Sequence, residues 1–145
     1  MISDERWRNN WLVVSPPGSV RVDLGRSAGT REAPLLTVRD LSPGTTVILC
    51  ASAPGAIGRC RAFASVAGIE LEREYLAFPS AGTPAYLVED ARAPLGVFVK
   101  TVLVTPPGAP FSTLIGAFLS VLRSLNPWWL IPVLAPGRIV VGTRS

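Results

Sequence analysis

Residues 45–51, TTVILCA, constrain the fold most strongly, because the run is apolar, rich in β-branched residues and uninterrupted. A short run of this kind that follows turn residues (LSPG) is typical of a strand buried on both faces. Ser52 and Pro54 then fit the start of a helix, whose apolar residues repeat at helical spacing between Ile57 and Ala67 and stop at Gly68. A buried strand that leads into an amphipathic helix predicts an α/β fold with this strand at its centre.

The rest of the chain predicts further strands around this unit. They are expected at Trp11–Ser15, Leu35–Arg39, Ile69–Phe78, Ala85–Val88 and Arg138–Thr143, with residues 19–34 irregular apart from one short helical turn. Glu70, Glu72 and Glu74 alternate with other residues in a period of two, which favours a solvated face of an exposed or edge strand over a cation site. Residues 85–88 are expected to return as the second arm of an antiparallel hairpin.

Two more segments bear on the fold class. Residues 95–104 fit a helix or a strand, and we favour the helix. Ser112 is a suitable N-cap for a clearer helix, which Asn126 and Pro127 stop. Its apolar residues from Leu114 to Leu122 cover more than one face, so we expect it to be buried or docked. The prediction is one α/β domain over residues 1–145, with a small mixed Rossmann-like sheet and a C-terminal antiparallel hairpin.

The chain has few charges for its apolar content. It is 48% hydrophobic and 17% charged, whereas soluble domains carry about 25% charged residues. Apolar surface therefore faces outward or faces a partner. The net charge of +4 comes from arginines scattered between Arg6 and Arg144, and without a basic face it does not predict nucleic-acid binding.

The sequence also bears on the compartment. It shows neither a secretory signal pattern nor an apolar run long enough to span a bilayer, so we expect a cytoplasmic protein without a transmembrane segment. In that compartment Cys50 and Cys60 are expected to be reduced core residues.

Few residues of the chain offer catalytic chemistry. The absence of histidine removes the commonest general base and metal ligand, and two cysteines alone do not complete a zinc site. There is no Walker loop, and no GxGxxG follows the first predicted strand. We therefore predict no catalytic residue, no metal site and no cofactor. The nearest substitute for a phosphate-binding loop is APGAIGR, where Gly55 and Arg59 at a helix start could hold an anion.

Apolar and aromatic residues collect between Phe111 and Leu134. Tryptophan is enriched in binding hot spots, so the pair Trp128 and Trp129 could form a docking site. Core packing fits at least one of them equally well, and we expect one buried tryptophan and one at a partner surface. The residues predicted to bind a partner are Phe111, Phe118, Trp128, Trp129 and Leu130.

From Leu41 to Val88 the order of features resembles the C-terminal half of a class I S-adenosylmethionine-dependent methyltransferase. The matching pieces are LSPGTTVILCA as a turn and late core strand, AIGRCRAFASVAGIELERE as helix, glycine and strand, and YLAFPSAGTPAYLV as the closing hairpin; APGRIVVGTR resembles the last strand. The family's glycine-rich cofactor loop, and the acidic residue after its second strand, have no counterpart before Leu41. The resemblance implies a shortened methyltransferase-like domain that keeps the scaffold and has lost the cofactor.

Small proteins of this kind from GC-rich actinobacteria resemble accessory components of natural-product clusters, including the third subunit of class V lanthipeptide synthetases. This resemblance implies a non-catalytic accessory or scaffold subunit of a hetero-oligomeric enzyme complex, with a precursor peptide as a further partner. Two alternatives stay open. One is a minimal methyltransferase that binds S-adenosylmethionine through the loops after Val14 and Ala51. The other is a peripheral membrane protein that uses Phe118, Trp128 and Trp129, although this region lacks the basic face of an interfacial helix.

Overall fold

The computed structural model describes residues 14–25, 32–78, 80–84, 86–101 and 112–145. Within these ranges the strands are β1 (Val20–Asp23), β2 (Thr46–Ser52), β3 (Ile69–Phe78), β4 (Tyr86–Glu89) and β5 (Gly137–Arg144). The helices are α1 (Glu32–Arg39), α2 (Ala56–Ala67), α3 (Arg92–Thr101), α4 (Ser112–Leu125) and α5 (Ile131–Leu134). The chain divides into two compact units, residues 1–87 with 135–145 and residues 88–134. Compact units of this kind can belong to one domain, so the single-domain prediction stays a prediction.

The five strands form one sheet in the order β1-β2-β5-β3-β4. β1 is parallel to β2, whereas β5 is antiparallel to both β2 and β3. This confirms an α/β fold with a mixed sheet, while its Rossmann-like character stays a prediction. The predicted central strand β2 lies inside the sheet, but the middle position belongs to β5.

Apolar side chains cover both faces of the sheet. On one face Val47 and Leu49 of β2 pack with Phe63 of α2. On the other, Ile48 and Cys50 pack with residues of β5 and β3. Successive residues of β2 therefore enter different cores, which is why its sequence is apolar without alternation.

Residues 32–39 form helix α1, so the strand predicted for Leu35–Arg39 is wrong. Pro34 lies in the first turn, where proline is tolerated because the backbone N–H groups of that turn have no partner in the helix. Leu35 and Val38, three residues apart, pack against the core on the same face of the helix. This contact outweighs the β-propensity of the segment.

Val20–Asp23, within the segment predicted to be irregular, forms strand β1 beside β2. The strand has four residues, and only Val22 is buried, so its pattern is too short to be recognised from periodicity. The predicted strand Trp11–Ser15 lies outside the described residues except for Val14 and Ser15, and neither of these belongs to a strand.

Strand β3 occupies the predicted residues but not the predicted place. It lies between β5 and β4, so the expectation of an edge strand is wrong. A β-bulge between Leu71 and Arg73 shifts its register against β5, and a bulge changes which residues share a face. Glu74 then pairs with Val140, whose side chain enters the core on the α2 side. The three glutamates therefore do not form one solvated face.

The two main helical predictions agree with the structure. Helix α2 ends at Gly68, which is left-handed with φ 65° and donates its N–H to the Ala64 carbonyl. Its N-cap is Gly55 and not a residue of the predicted Ser52–Pro54 start. The favoured helix at 95–104 is confirmed up to Thr101, beyond which the prediction falls outside the described residues.

The unit of residues 88–134 contains α3, α4 and α5. Helices α3 and α4 contact each other, and Leu95 and Phe98 of α3 are buried. Helix α4 begins at Ser112, as predicted. It is not buried on all sides, because Phe118 and three further large apolar side chains among its described residues are exposed, while docking of this face on a partner stays a prediction. The segment after it contains the short helix α5.

Candidate functional site

The parallel strands β1 and β2 end at the same edge of the sheet, and ligands of α/β sheets bind at the carboxyl ends of the strands. The two strands stay joined beyond their ends: the Leu24 N–H donates to the Cys50 carbonyl over 2.8 Å, and the Ser52 N–H to the Gly25 carbonyl over 3.2 Å. The Asp23 carboxylate accepts the N–H of Gly25 over 2.8 Å. The backbone at this edge is therefore largely fixed by local hydrogen bonds.

Arg59 of α2 fills this edge with its guanidinium group. One terminal nitrogen donates to the Gly25 carbonyl over 3.0 Å and also to the Ser52 carbonyl, and the other donates to the Pro54 carbonyl. These acceptors belong to the loops that follow β1 and β2. Arg59 thus ties α2 to both loops.

The remaining hydrogen-bonding capacity of Arg59 bears on the predicted anion site. A guanidinium has five N–H donors, and three are directed at carbonyls. The Nε atom is enclosed and has no partner among the described residues. One donor is left, which does not suffice for a bidentate clamp on an anion. Anion binding by Gly55 and Arg59 stays a prediction, while a structural role for Arg59 follows from its bonds.

Gly55 has a separate reason to be glycine. Its φ of 71° lies in the left-handed region, where side chains are strained. A Cβ there would lie 3.4 Å from Nη1 of Arg59, which is ordinary contact. The backbone conformation, and not space for a ligand, requires glycine at this position.

The two cysteines are buried, free thiols, as predicted for core residues. Burial raises the pKa of the Cys50 thiol to about 11 and that of the Cys60 thiol to about 12. Only about one thiol in a thousand or fewer is then ionised at pH 8, and the thiolate is the reactive form. Neither cysteine is suited to nucleophilic chemistry near neutral pH.

We expect both thiols to be unreactive towards a thiol reagent such as Ellman's reagent in the native protein at pH 8. Both should react fully when the protein is unfolded in 6 M guanidinium chloride. The raised pKa values also set a direction for stability. Above pH 9 the unfolded thiols ionise first, so the free energy of unfolding should fall by about 1 kcal/mol per thiol and pH unit as the pH rises from about 9 towards 11. Rapid labelling of the native protein would contradict this assignment.

Glu74 connects two arginines, an arrangement that the sequence pattern did not reveal. Nε and Nη2 of Arg61 donate to its two carboxylate oxygens over 3.1 and 3.2 Å. Arg138 of β5, which is buried, lies 3.7 Å from the same carboxylate. Glu74 thereby compensates the positive charge of the buried Arg138 on β5. The cluster of Arg61, Glu74 and Arg138 stabilises the fold.

The residues predicted to bind a partner lie in the second compact unit. Trp129 is 63% exposed, whereas Trp128 and Leu130 are half-buried. Phe118 is exposed on α4, and Phe111 lies outside the described residues. The sequence pattern did not single out Val133 and Leu134, which are 74% and 65% exposed.

A cavity of about 350 Å³ lies in the same unit. Its lining consists of Arg92, Ala93, Gly96, Val97 and Asn126. The Arg92 guanidinium is also 5.8 Å from the centre of the Trp128 ring, within the range of a cation–π contact. Arg92 and Asn126 can form hydrogen bonds, but neither is a base or a nucleophile near neutral pH. The described lining therefore offers hydrogen-bonding groups and no group for acid–base or nucleophilic chemistry.

Within the described ranges, no three His, Cys, Asp or Glu side chains are grouped as metal ligands. None of the described helices is long and apolar enough to cross a membrane. No protein-family model, curated protein or solved structure matches this chain.

Proposed function

We propose that this protein is a non-catalytic accessory or scaffold subunit that binds and supports partner enzymes in the cytoplasm. The observation that carries the proposal is the exposure of Trp129, Val133 and Leu134, which we call the Trp129 patch. These three large apolar side chains lie within six residues of one another, and each is more than 60% exposed. Exposed apolar clusters of this kind mark interaction sites on soluble proteins.

The sequence around the patch supports a protein partner. Residues 124–137 contain no charged side chain. The core of a protein interface is depleted of charge and enriched in tryptophan. A membrane-binding helix would instead carry lysine and arginine on its polar face. The patch therefore favours a protein surface over a lipid surface.

The local structure holds the patch in place. Pro127 and Ile131 belong to the same segment and are buried. The N–H of Leu130 donates to the Pro127 carbonyl over 2.9 Å, and the N–H of Val133 to the Leu130 carbonyl over 3.1 Å. A surface that is ordered before binding loses less entropy when a partner docks.

The distribution of exposed apolar side chains supports the same surface. Among the residues that the structure describes, eleven large hydrophobic side chains are exposed, and eight of them lie in residues 88–134, namely Val97, Leu114, Phe118, Val121, Leu125, Trp129, Val133 and Leu134. At the sheet edge, by contrast, Arg59 and Gly55 have structural roles. The family resemblance extends the proposal to a complex that modifies a ribosomally made peptide, with the precursor peptide as a further ligand.

Trp129→Ala is expected to weaken the retention of partner enzymes about 30-fold when the tagged chain is coexpressed with its neighbouring genes, since hot-spot tryptophans contribute at least about 2 kcal/mol. The matched control is Val66→Ala, because Val66 is 64% exposed but lies on α2, in the other compact unit. Both variants should keep the wild-type thermal midpoint.

Equal retention of partners by the two variants would contradict the assignment of the Trp129 patch. Elution of the wild-type chain without any enzyme, together with sedimentation on anionic vesicles, would contradict the accessory-subunit proposal and favour a membrane surface.

A further inference from the structure

Helix α4 carries a second exposed apolar surface, separate in sequence from the Trp129 patch. It consists of Leu114, Phe118, Val121 and Leu125, which we call the α4 stripe. Each of these side chains is more than half exposed. They follow one another at intervals of four, three and four residues, which is the a/d spacing of a coiled coil. The spacing is that of a seam which packs against one other helix.

The positions beside the stripe are uncharged, and on one side they are small. Ala117 and Ser124 flank it on one side, and both are exposed. The only charged residue of α4 is Arg123. Coiled coils choose between different partners through charges at these flanking positions. The α4 helix offers no charge pattern that would attract a different helix or repel a copy of itself.

We infer that the α4 stripe pairs with the α4 stripe of a second copy of this chain, in antiparallel orientation about a two-fold axis. The interval pattern four, three, four is the same in both directions. An axis between residues 119 and 120 therefore places Leu114 opposite Leu125 of the second copy and Phe118 opposite Val121 of the second copy. A two-fold interface needs such self-complementarity.

The same register separates the like charges. Arg123 comes to lie opposite Gly116 of the second copy, so the two Arg123 residues are not adjacent across the axis. Antiparallel helices also align opposite ends of their dipoles. Electrostatics therefore does not oppose the pairing.

The extent of the seam sets the strength that we expect. Burying four side chains from each copy removes roughly 800 Å² of accessible surface, somewhat less than the about 1,200 Å² of the smaller stable interfaces. The dimer should therefore be weak, and should form and dissociate with protein concentration. The inference goes beyond the proposed function, because the occupant is a second copy and the Trp129 patch stays available to an enzyme partner.

Disulfide cross-linking tests the register directly. Leu114→Cys and Leu125→Cys chains are purified separately and then incubated, alone or mixed, in a glutathione redox buffer. In the antiparallel register the mixture forms a cross-linked dimer at least about 5-fold faster than either variant alone. Equivalent positions are eleven residues apart along the pair, about 16 Å, which exceeds the reach of a disulfide. Buried Cys50 and Cys60 do not interfere.

Sedimentation equilibrium of the full wild-type chain supplies the second readout. Val121→Glu should lower the apparent association constant at least about 10-fold, whereas Val66→Glu, an exposed valine on α2, should leave it unchanged. Equal cross-linking of single and mixed variants, or a monomer at every concentration, overturns the inference. If the chain is monomeric but still retains coexpressed enzymes, the dimer fails while the proposed function stands.

Discussion

Replacing Gly142 with alanine is expected to lower the free energy of unfolding by about 3 kcal/mol, a large part of the about 5–15 kcal/mol by which folded proteins are stable. A Cβ at this position would overlap the carbonyl oxygen of Glu70 and lie 2.8 Å from Cγ2 of Ile69. Gly142 belongs to the middle strand β5, where it is paired with Val47 on one side and Leu71 on the other. Since neither neighbouring strand can move freely, the clash cannot be relieved cheaply.

Gly58→Ala is the matched control for this prediction. Gly58 lies inside helix α2, and a Cβ there would meet nothing within 4 Å. Alanine is favoured over glycine in a helix by about 1 kcal/mol, so this variant should be slightly more stable than the wild type. Urea denaturation followed by circular dichroism measures both. If Gly142→Ala and Gly58→Ala change the free energy of unfolding in the same direction, the close approach of Gly142 in β5 to Glu70 in β3 is contradicted.

The second large effect is expected for Arg59→Met, which should lower the free energy of unfolding by about 3 kcal/mol. Methionine keeps most of the apolar stem but removes the donors for the carbonyls of Gly25, Ser52 and Pro54. Hydrogen bonds to a charged group contribute about 1.5–3 kcal/mol each, although contributions from one group do not add fully. Urea denaturation again gives the value.

Arg61→Met is the control for the loss of an arginine on the same helix. The Arg61 side chain is 63% exposed, and its ion pair with Glu74 is of the surface kind that contributes about 0–1 kcal/mol. A comparable loss of free energy of unfolding in Arg59→Met and Arg61→Met would contradict the role of Arg59 in joining the loops after β1 and β2. Thermal shifts with 10 mM phosphate test the anion prediction separately, because stabilisation of the wild type but not of Arg59→Met would identify Arg59 as a ligand.

The elements that could be predicted from the sequence are those with a long or strongly apolar pattern. β2 and α2 are recognisable because both bury a full face and end at clear turn residues. β1 buries one side chain in four residues, so its pattern is weak. In α1, Thr37 and Val38 have a local preference for a strand. The helix forms nevertheless, because it allows Val38 to pack against the core. Such packing is a tertiary property that no local pattern contains.

The candidate site was predictable in its location and not in its contacts. Arg59 was predicted from its place at a helix start. One of its hydrogen-bond acceptors, the Gly25 carbonyl, lies 34 residues away in sequence, so this contact was not predictable. The apolar segment around Trp129 was visible in the sequence. Whether its side chains are exposed depends on which neighbours pack on it, and only the structure gives that.

The position of β5 shows a further limit. A terminal apolar strand is compatible with an edge or a central place in a sheet, and the sequence around Gly142 does not distinguish between them. The structure places it between β2 and β3, with its residues from Gly137 to Gly142 buried. The glycine is explained only once the neighbouring backbone is known.

The most direct test of the partner-binding role is the mass and composition of the assembly that the tagged chain forms in its own host. We predict a complex in which enzyme subunits accompany this chain at fixed stoichiometry by mass spectrometry and light scattering, and from which the Trp129→Ala chain is released. A particle with the mass of one or two copies of this chain, free of other proteins, would contradict the proposed function.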